Sequence, residues 1–288
     1  LPTASFDGTN WLVTWYRYGG ATGYDIVAAR VPRQGAPLDA QPIEVSKQPT
    51  SEYTPTVTFD GTDHLVAWRD GTSVYGQKIG TDGKAVGQRM TLVTAGVGIV
   101  YEFQNAFDGT NHLFVWRESR PAPTYQDIYA RRIDKAGAPV DAANVAIASD
   151  NQFDYTPRVT YDDTNFLVTF RRAGSLMARR MSPAGALLDA QPIAAAAGSF
   201  SDYQLASDGA GSLALSREYS GSSLTANDIR GVRLAKTPTA NSPLFPVSRA
   251  ANAQTDPSAA FDGTRHHAVW VDTRDAQPSI YGAVLSPD

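Results

Sequence analysis

The sequence predicts an all-β fold, a six-bladed β-propeller with four-stranded antiparallel blades, the last blade either three-stranded or completed from elsewhere. Three observations carry this prediction. One phrase, Phe-Asp-Gly-Thr-Asn/Asp followed by a short apolar run and Trp with charge, returns six times: Phe6 to Arg17, Phe59 to Asp70, Phe107 to Glu118, Tyr161 to Arg172, Ser207 to Glu218 and Phe261 to Asp272. The repeating unit has about 40–50 residues and room for four short strands, the size of a propeller blade, whereas solenoid units are shorter or helical. No stretch shows the 3.6-residue periodicity that helical repeats require.

The second copy serves as the template. Thr54 to Phe59 alternates and is β-branched, Asp60-Gly61 is a tight-hairpin signal, and His64 to Trp68 is a second strand. Ser73 to Ile79 is a third strand, Thr81 to Lys84 a second turn, and Gln88 to Val93 a fourth strand. The third strand recurs from Asp25-Ile26, Asp127-Ile128, Ser175-Leu176, Asp228-Ile229 and Ser279-Ile280. Leu-Asp-Ala-Gln-Pro-Ile appears verbatim at 38–43 and 188–193, and is assigned to the outermost strand.

The repeat runs without a linker, so a single domain over 1–288 is expected, with blades at 1–53, 54–101, 102–155, 156–201, 202–255 and 256–288. Pro2 is equivalent to Pro55, Pro157 and Pro257 at the mouths of inner strands, where Pro is tolerated. The sequence stops after the third strand of copy six. Either a segment before Leu1 supplies the sixth outer strand, or the ring closes with a three-stranded last blade.

Composition excludes several classes. The chain has 42% hydrophobic and 19% charged residues, as a folded globular protein does. A net charge of −4 gives no basic footprint, so no nucleic acid is expected as a partner. No window approaches the roughly 20 apolar residues of a membrane span. With no cysteine, disulfides, thiolate catalysis and zinc ribbons are out, and no cofactor signature is present. The composition is compatible with an exported bacterial protein, secreted or periplasmic.

Trp15, Trp68, Trp116, Phe170 and Trp270 occupy one slot, with Ser216 the exception, and read as core packing between blades. The Asp-Gly turns lack the further carboxylates of a calcium loop. His64, His112 and His266 share another slot with Trp11 and Phe166, at the start of second strands. Spread round the ring, they cannot converge to the ~2 Å bonds of a metal, so no metal site is expected and the slot reads as half-buried rim packing.

Strand polarity puts the loops entering the first strands on the same rim as those leaving the second, and that rim has the variable loops in which function concentrates. Entering are Glu52-Tyr53, Tyr101-Glu102, Asp154-Tyr155, Asp202-Tyr203 and Thr255-Asp256; leaving are Arg17, Arg69, Arg117, Arg171 and Arg217. These are the candidate ligand-binding residues: Arg17, Glu52, Tyr53, Arg69, Tyr101, Glu102, Arg117, Asp154, Tyr155, Arg171, Asp202, Tyr203, Arg217 and Asp256. Two readings compete. Arg can pair with carboxylates blade after blade as a structural seam, or the residues can converge on a polar ligand of sugar size.

Phe-Asp-Gly-Thr-Asn-x-Leu-Val-x-Trp, Asp-Ile-Tyr-x-x-Arg-Ile and Gly-x-x-Leu-Asp together resemble the repeats of large, mostly uncharacterised, secreted bacterial β-propellers, a resemblance that covers essentially the whole chain. In outline the chain also resembles six-bladed sialidases. The sialidase Asp-box, Ser-x-Asp-x-Gly-x-x-Trp, is missing from the third-to-fourth strand turns, so no catalytic residue is carried over. The expected function is binding of a glycan or another polar extracellular ligand at one mouth of the channel. The alternatives are a glycoside hydrolase or lyase acting on an acidic sugar there, with Asp202 or Asp256 as acid or base, and a protein-interaction scaffold.

Overall fold

In the computed structural model, which describes residues 2–94, 98–119, 126–219, 227–237, 241–275 and 277–287, every sheet is made of strands consecutive in the sequence. Blade one comprises β1 (Thr3–Phe6), β2 (Asn10–Tyr18), β3 (Tyr24–Pro32) and β4 (Ile43–Ser46). Blade two comprises β5 (Glu52–Phe59), β6 (Asp63–Asp70), β7 (Ser73–Gly80) and β8 (Ala85–Thr94), and blade three β9 (Ile99–Phe107), β10 (Asn111–Ser119), β11 (Gln126–Asp134) and β12 (Val145–Ala148). Blade four holds β13 (Asp154–Tyr161), β14 (Phe166–Arg172), β15 (Ser175–Met181) and β16 (Ile193–Ala196). Blade five holds β17 (Tyr203–Ser207), β18 (Gly211–Tyr219), β19 (Asn227–Ala235) and β20 (Phe245–Ser248). Blade six has only β21 (Gln254–Phe261), β22 (His266–Asp272) and β23 (Ser279–Leu285). The fold is a six-bladed β-propeller whose last blade has three strands. The chain divides into two compact units, Leu1–Asn151 with blades one to three and Gln152–Asp288 with blades four to six.

The recurrent Asp between the first two strands makes the same turn in every blade. One oxygen of Asp7, Asp60, Asp108, Asp162, Asp208 and Asp262 accepts the backbone N–H groups two and three residues on, at 2.7–3.0 Å. The following residue takes a left-handed φ, 97° at Gly8 and 89° at Gly61, which explains the Gly. Blade four makes the same turn with Asp163 at 64°.

The hexapeptide expected on the outermost strand lies mostly ahead of it, since β4 begins at Ile43 and β16 at Ile193. Its Asp closes the third strand instead. Asp39 accepts the Arg30 backbone N–H at 2.7 Å through one oxygen and the Arg30 guanidinium at 2.6 Å through the other. Arg132 with Asp141 and Arg180 with Asp189 repeat the clasp, and in blade five Ser242 takes the backbone half from Arg233. Each clasp closes a backbone donor that strand pairing leaves open. The Arg30 hydrogen bonds hold the Asp39 carboxyl below the usual carboxylate range.

Packing between successive blades forms the core. Leu12, Ile26, Ala28 and Val45 of blade one meet Val57, Val66, Trp68 and Ile79 of blade two. In the other unit Leu213, Leu215 and Ile229 of blade five meet Ala268 and Trp270 of blade six. The histidine slot belongs to this packing: His64, His112 and His266 are 0–2% exposed, so the expectation of half-buried rim residues is corrected. They sit deeper because the slot reaches back to the preceding blade. His64 Nδ1 meets Ser5 Oγ at 2.7 Å, His112 Nδ1 meets Thr58 Oγ1 at 3.2 Å, and Ser212, in the same slot, meets Thr160 at 2.8 Å.

Thr58 Oγ1 already accepts from Asn105 Nδ2 at 2.8 Å, so its proton is available to His112 Nδ1. Burial pushes the His112 pKa down to about 4. The unfolded chain binds this proton below about pH 6.5 and the folded chain only near pH 4, so stability present above pH 6.5 is lost as pH falls between the two. The expected loss from this residue is about 3 kcal/mol. Urea titrations at pH 7 and pH 4.5 should show a smaller drop for His112→Phe, Phe being the residue blade four carries in this slot; equal drops would contradict the assignment.

Candidate functional site

In four of the blades the first strand meets its second across a register shift. In blades two, four and six a register shift follows Tyr53, Tyr155 and Thr255, and the next residue is left-handed: Thr54 at 50°, Thr156 at 53° and Asp256 at 51°. The prolines expected at the strand mouths lie within this bulge, where no ladder N–H is required. The bulge also sets equivalence. Gln254, not Asp256, matches Glu52 and Asp154, and all three are fully buried. Gln254 Nε2 donates to the carbonyls of Ala250 and Asn252, while Asp256 is exposed and its Oδ2 accepts from Thr255 Oγ1 at 2.9 Å.

Much of the carboxylate population answers the tryptophans. A buried indole N–H needs an acceptor. Trp68 Nε1 donates to Glu52 at 2.6 Å, Trp116 Nε1 to Glu118 at 3.1 Å and Trp270 Nε1 to Asp272 at 3.1 Å. Blade two supplies the acceptor from its first strand; blades three and six supply it from the second, two residues beyond the Trp. Ser46 Oγ also donates to Glu52 at 2.7 Å, and burial still pushes the Glu52 carboxyl up. Where Phe170 replaces Trp, Asp154 takes a bidentate bond from Arg172, both arms 2.7 Å.

Two of the candidate arginines pair with candidate carboxylates of their own blade. Arg117 Nε is 3.4 Å from Glu102, and Arg217 Nη2 is 2.8 Å from Asp202. Tyr203 is 1% exposed and lies in the core between blades four and five. It stands directly across from Ser216, whose small side chain leaves room for the ring, and its hydroxyl donates to the Thr156 carbonyl at 2.8 Å.

Other candidates keep exposed chemistry. Tyr53, Tyr101 and Tyr155 are equivalent, and each carries the guanidinium of its partner, Arg69, Arg117 or Arg171, at 5.6, 4.9 and 5.2 Å from the ring centre. Phe153 stacks on Tyr155 at 6.2 Å. Blade one adds three tyrosines beside Tyr53. Tyr16 lies 5.4 Å from Tyr24 and 5.9 Å from Tyr53, Tyr24 is 5.4 Å from Tyr53, and Tyr18 is 5.5 Å from Tyr24. Tyr18 is 68% exposed and Tyr16 36%. Arg17 is exposed and has no hydrogen bond or ion pair among the described residues, and the Nε of Arg69 is buried without a hydrogen-bond partner. The cluster joins Arg17, Tyr53 and Arg69 to Tyr16, Tyr18 and Tyr24. A signal for it exists in the sequence, three tyrosines within Tyr16–Tyr24 and no such density in other copies.

No protein-family model and no curated protein matches the sequence. Among solved structures the chain is similar to TolB from Acinetobacter baumannii, with a TM-score of 0.51, 15% identity, and coverage of 96% of this chain but 64% of TolB. It is similar to a neuraminidase-like protein of A/flat-faced bat/Peru/033/2010, with a TM-score of 0.61 at 9% identity, covering 100% of this chain and 87% of that one. Trypanosoma rangeli sialidase gives a TM-score of 0.60 at 11% identity, with 98% and 54% covered. The likeness is one of fold. It includes the sialidase-like outline that the sequence suggested. Among the described residues no group of three or more His, Asp or Glu is placed to hold a metal ion, and no helix is long and apolar enough to cross a membrane.

Structural and exposed arginines should separate in stability. Arg172→Ala takes both guanidinium bonds from the buried Asp154 and should cost about 3 kcal/mol. Arg17→Ala should stay within about 0.5 kcal/mol of the parent chain. Urea denaturation of the two variants checks this; equal effects would mean that the exposed arginine is structural as well.

Proposed function

We propose that the protein is a ligand-binding β-propeller that recognises a glycan, with an acidic substituent favoured, on the tyrosine cluster of blades one and two. One observation carries the reading: Tyr16, Tyr18, Tyr24 and Tyr53 gather with partly exposed ring faces beside Arg17 and Arg69, neither of which is paired with a carboxylate among the described residues. Exposed tyrosine rings offer flat apolar faces for the C–H side of a sugar and hydroxyls for its polar edge. Arginine binds carboxylate or sulfate in a two-pronged fashion.

Binding is favoured over hydrolysis by where the carboxylates are. Glu52 is held by Ser46 and Trp68, Asp154 by Arg172 and Asp202 by Arg217. A sialidase among the solved neighbours agrees with a sugar ligand on this fold. A secreted or periplasmic setting, as for the repeat proteins that the sequence resembles, goes with an extracellular glycan.

A glycan array read at low and physiological salt tests the proposal. Binding should favour uronic-acid, sialylated or sulfated glycans and weaken with salt. Tyr18→Ala should lower affinity roughly ten-fold through lost stacking, and Arg17→Ala should lower it for acidic glycans only. Undiminished binding in both variants would remove the site; release of free sugar during the assay would replace binding by turnover.

A further inference from the structure

Three blades hold an arginine of the third strand by a carboxylate from the loop that follows. Arg30, Arg132 and Arg180 stand across from Leu12, Leu113 and Leu167. Each donates from Nε at 3.0–3.2 Å and from Nη2 at 2.6 Å to Oδ1 of Asp39, Asp141 or Asp189. Arg233 has the same place across from Leu213, but the chain offers Ser242 at the position of the Asp. Ser242 Oγ accepts the Arg233 backbone N–H at 2.9 Å and donates to the Pro243 carbonyl at 2.9 Å, so the backbone half of the clasp is kept and a hydroxyl stands in for the charged half. The next blade reaches these guanidinium groups with a backbone carbonyl whether the clasp has its carboxylate or not. Arg30 donates to the Thr81 carbonyl at 3.4 Å, Arg180 to that of Lys236 at 3.5 Å and Arg233 to that of Ser286 at 2.6 Å.

Beside Arg233 lies a cavity of about 310 Å³, at the small end of ligand pockets. Arg233, Ser242, Asp208 and His266 give it polar walls, and Leu213, Ala235 and Pro287 apolar ones. Gly211 also lines it, where the turns of the four preceding blades have Asn10, Asp63, Asn111 and Asn165. The histidine slot departs from its pattern at the same interface. The residue that matches Ser5 and Thr58, the hydroxyl partners of His64 and His112, is Ala206. His266 is 1% exposed, its Nε2 is 3.2 Å from Asp208 Oδ2, and its Nδ1 is buried without a hydrogen-bond partner among the described residues. Ser242 for Asp and Ala206 for Ser or Thr each remove an oxygen from the packing of blades five and six.

We propose that this cavity, at the Asp-Gly-turn end of blades five and six, is a further binding site that takes a small monocarboxylic acid with an apolar body. Its carboxylate lies on the Arg233 guanidinium as that of Asp39 lies on Arg30, a geometry that a planar fork of donors recognises. The ligand carries one charge because Asp208 shares the cavity. That carboxylate is engaged by the Ala210 and Gly211 N–H groups and by His266, yet its charge still opposes a doubly charged phosphate or sulfate. The walls of Leu213, Ala235 and Pro287 favour hydrocarbon over a second polar group.

Calorimetric titration of the full chain with acetate, butyrate and benzoate, in a carboxylate-free buffer, tests the proposal. One-site saturable binding is expected, with butyrate and benzoate about three-fold or more tighter than acetate because their bodies cover the apolar walls. Ser242→Asp, which supplies the carboxylate that the other clasps carry, should weaken all three roughly ten-fold or more with an unchanged circular dichroism spectrum. Ser242→Ala, which adds no charge, and Arg17→Ala, at the tyrosine cluster, should each stay within about two-fold of the parent chain. The proposal is overturned if no probe binds at up to about 10 mM, a free energy near −3 kcal/mol. It is equally overturned if Ser242→Asp binds as the parent does, or if inorganic phosphate binds the unaltered protein as tightly as butyrate.

Discussion

A blade of this protein is a small sheet with two apolar faces, and it can bury neither by itself. Everything else follows from stacking one blade on the next. The large residue of each second strand, Trp68, Trp116 or Trp270, lies buried in the packing and brings an indole N–H into a dry place. The buried carboxylates Glu52, Glu118 and Asp272 answer that donor, and in the histidine slot His64, His112 and Ser212 meet a hydroxyl, and His266 a carboxylate, of the preceding blade. Polar residues that look like chemistry in a one-dimensional reading are in large part the closing of hydrogen bonds that packing would otherwise strand.

The same constraint sorts the rim. Glu52, Asp154 and Asp272 are held inward by tryptophan or arginine partners, which fixes their geometry. The Tyr–Arg pairs repeated in blades two, three and four and the tyrosine group next to Arg17 and Arg69 stay partly exposed, as do Glu102, Asp202 and Asp256.

The blade architecture was legible because the turn chemistry is local. Asp accepting two backbone N–H groups and Gly at positive φ are properties of four consecutive residues, so each copy of the phrase marks its own hairpin. The slot assignments were less so. A left-handed residue before Pro puts a bulge at the start of β5, β13 and β21, and it is Gln254, not the exposed Asp256, that pairs with the second strand where Glu52 and Asp154 do. Tyr203, a rim candidate by its place in the sequence, fills the space that Ser216 leaves beside it. The Leu-Asp-Ala-Gln-Pro-Ile phrase reads as a strand by its ends, but its Asp bonds backward across nine residues to Arg30 or Arg180, and a loop results.

The amino-acid order alone determined the number of blades and the strand sequence within each, since these rest on repetition and on short-range turn preferences. Tertiary structure decided which charged side chains are structural and which are exposed. That choice depends on whether a neighbouring strand or blade presents a buried donor within hydrogen-bonding distance, and such distances between residues far apart in the chain are set only when the sheets pack.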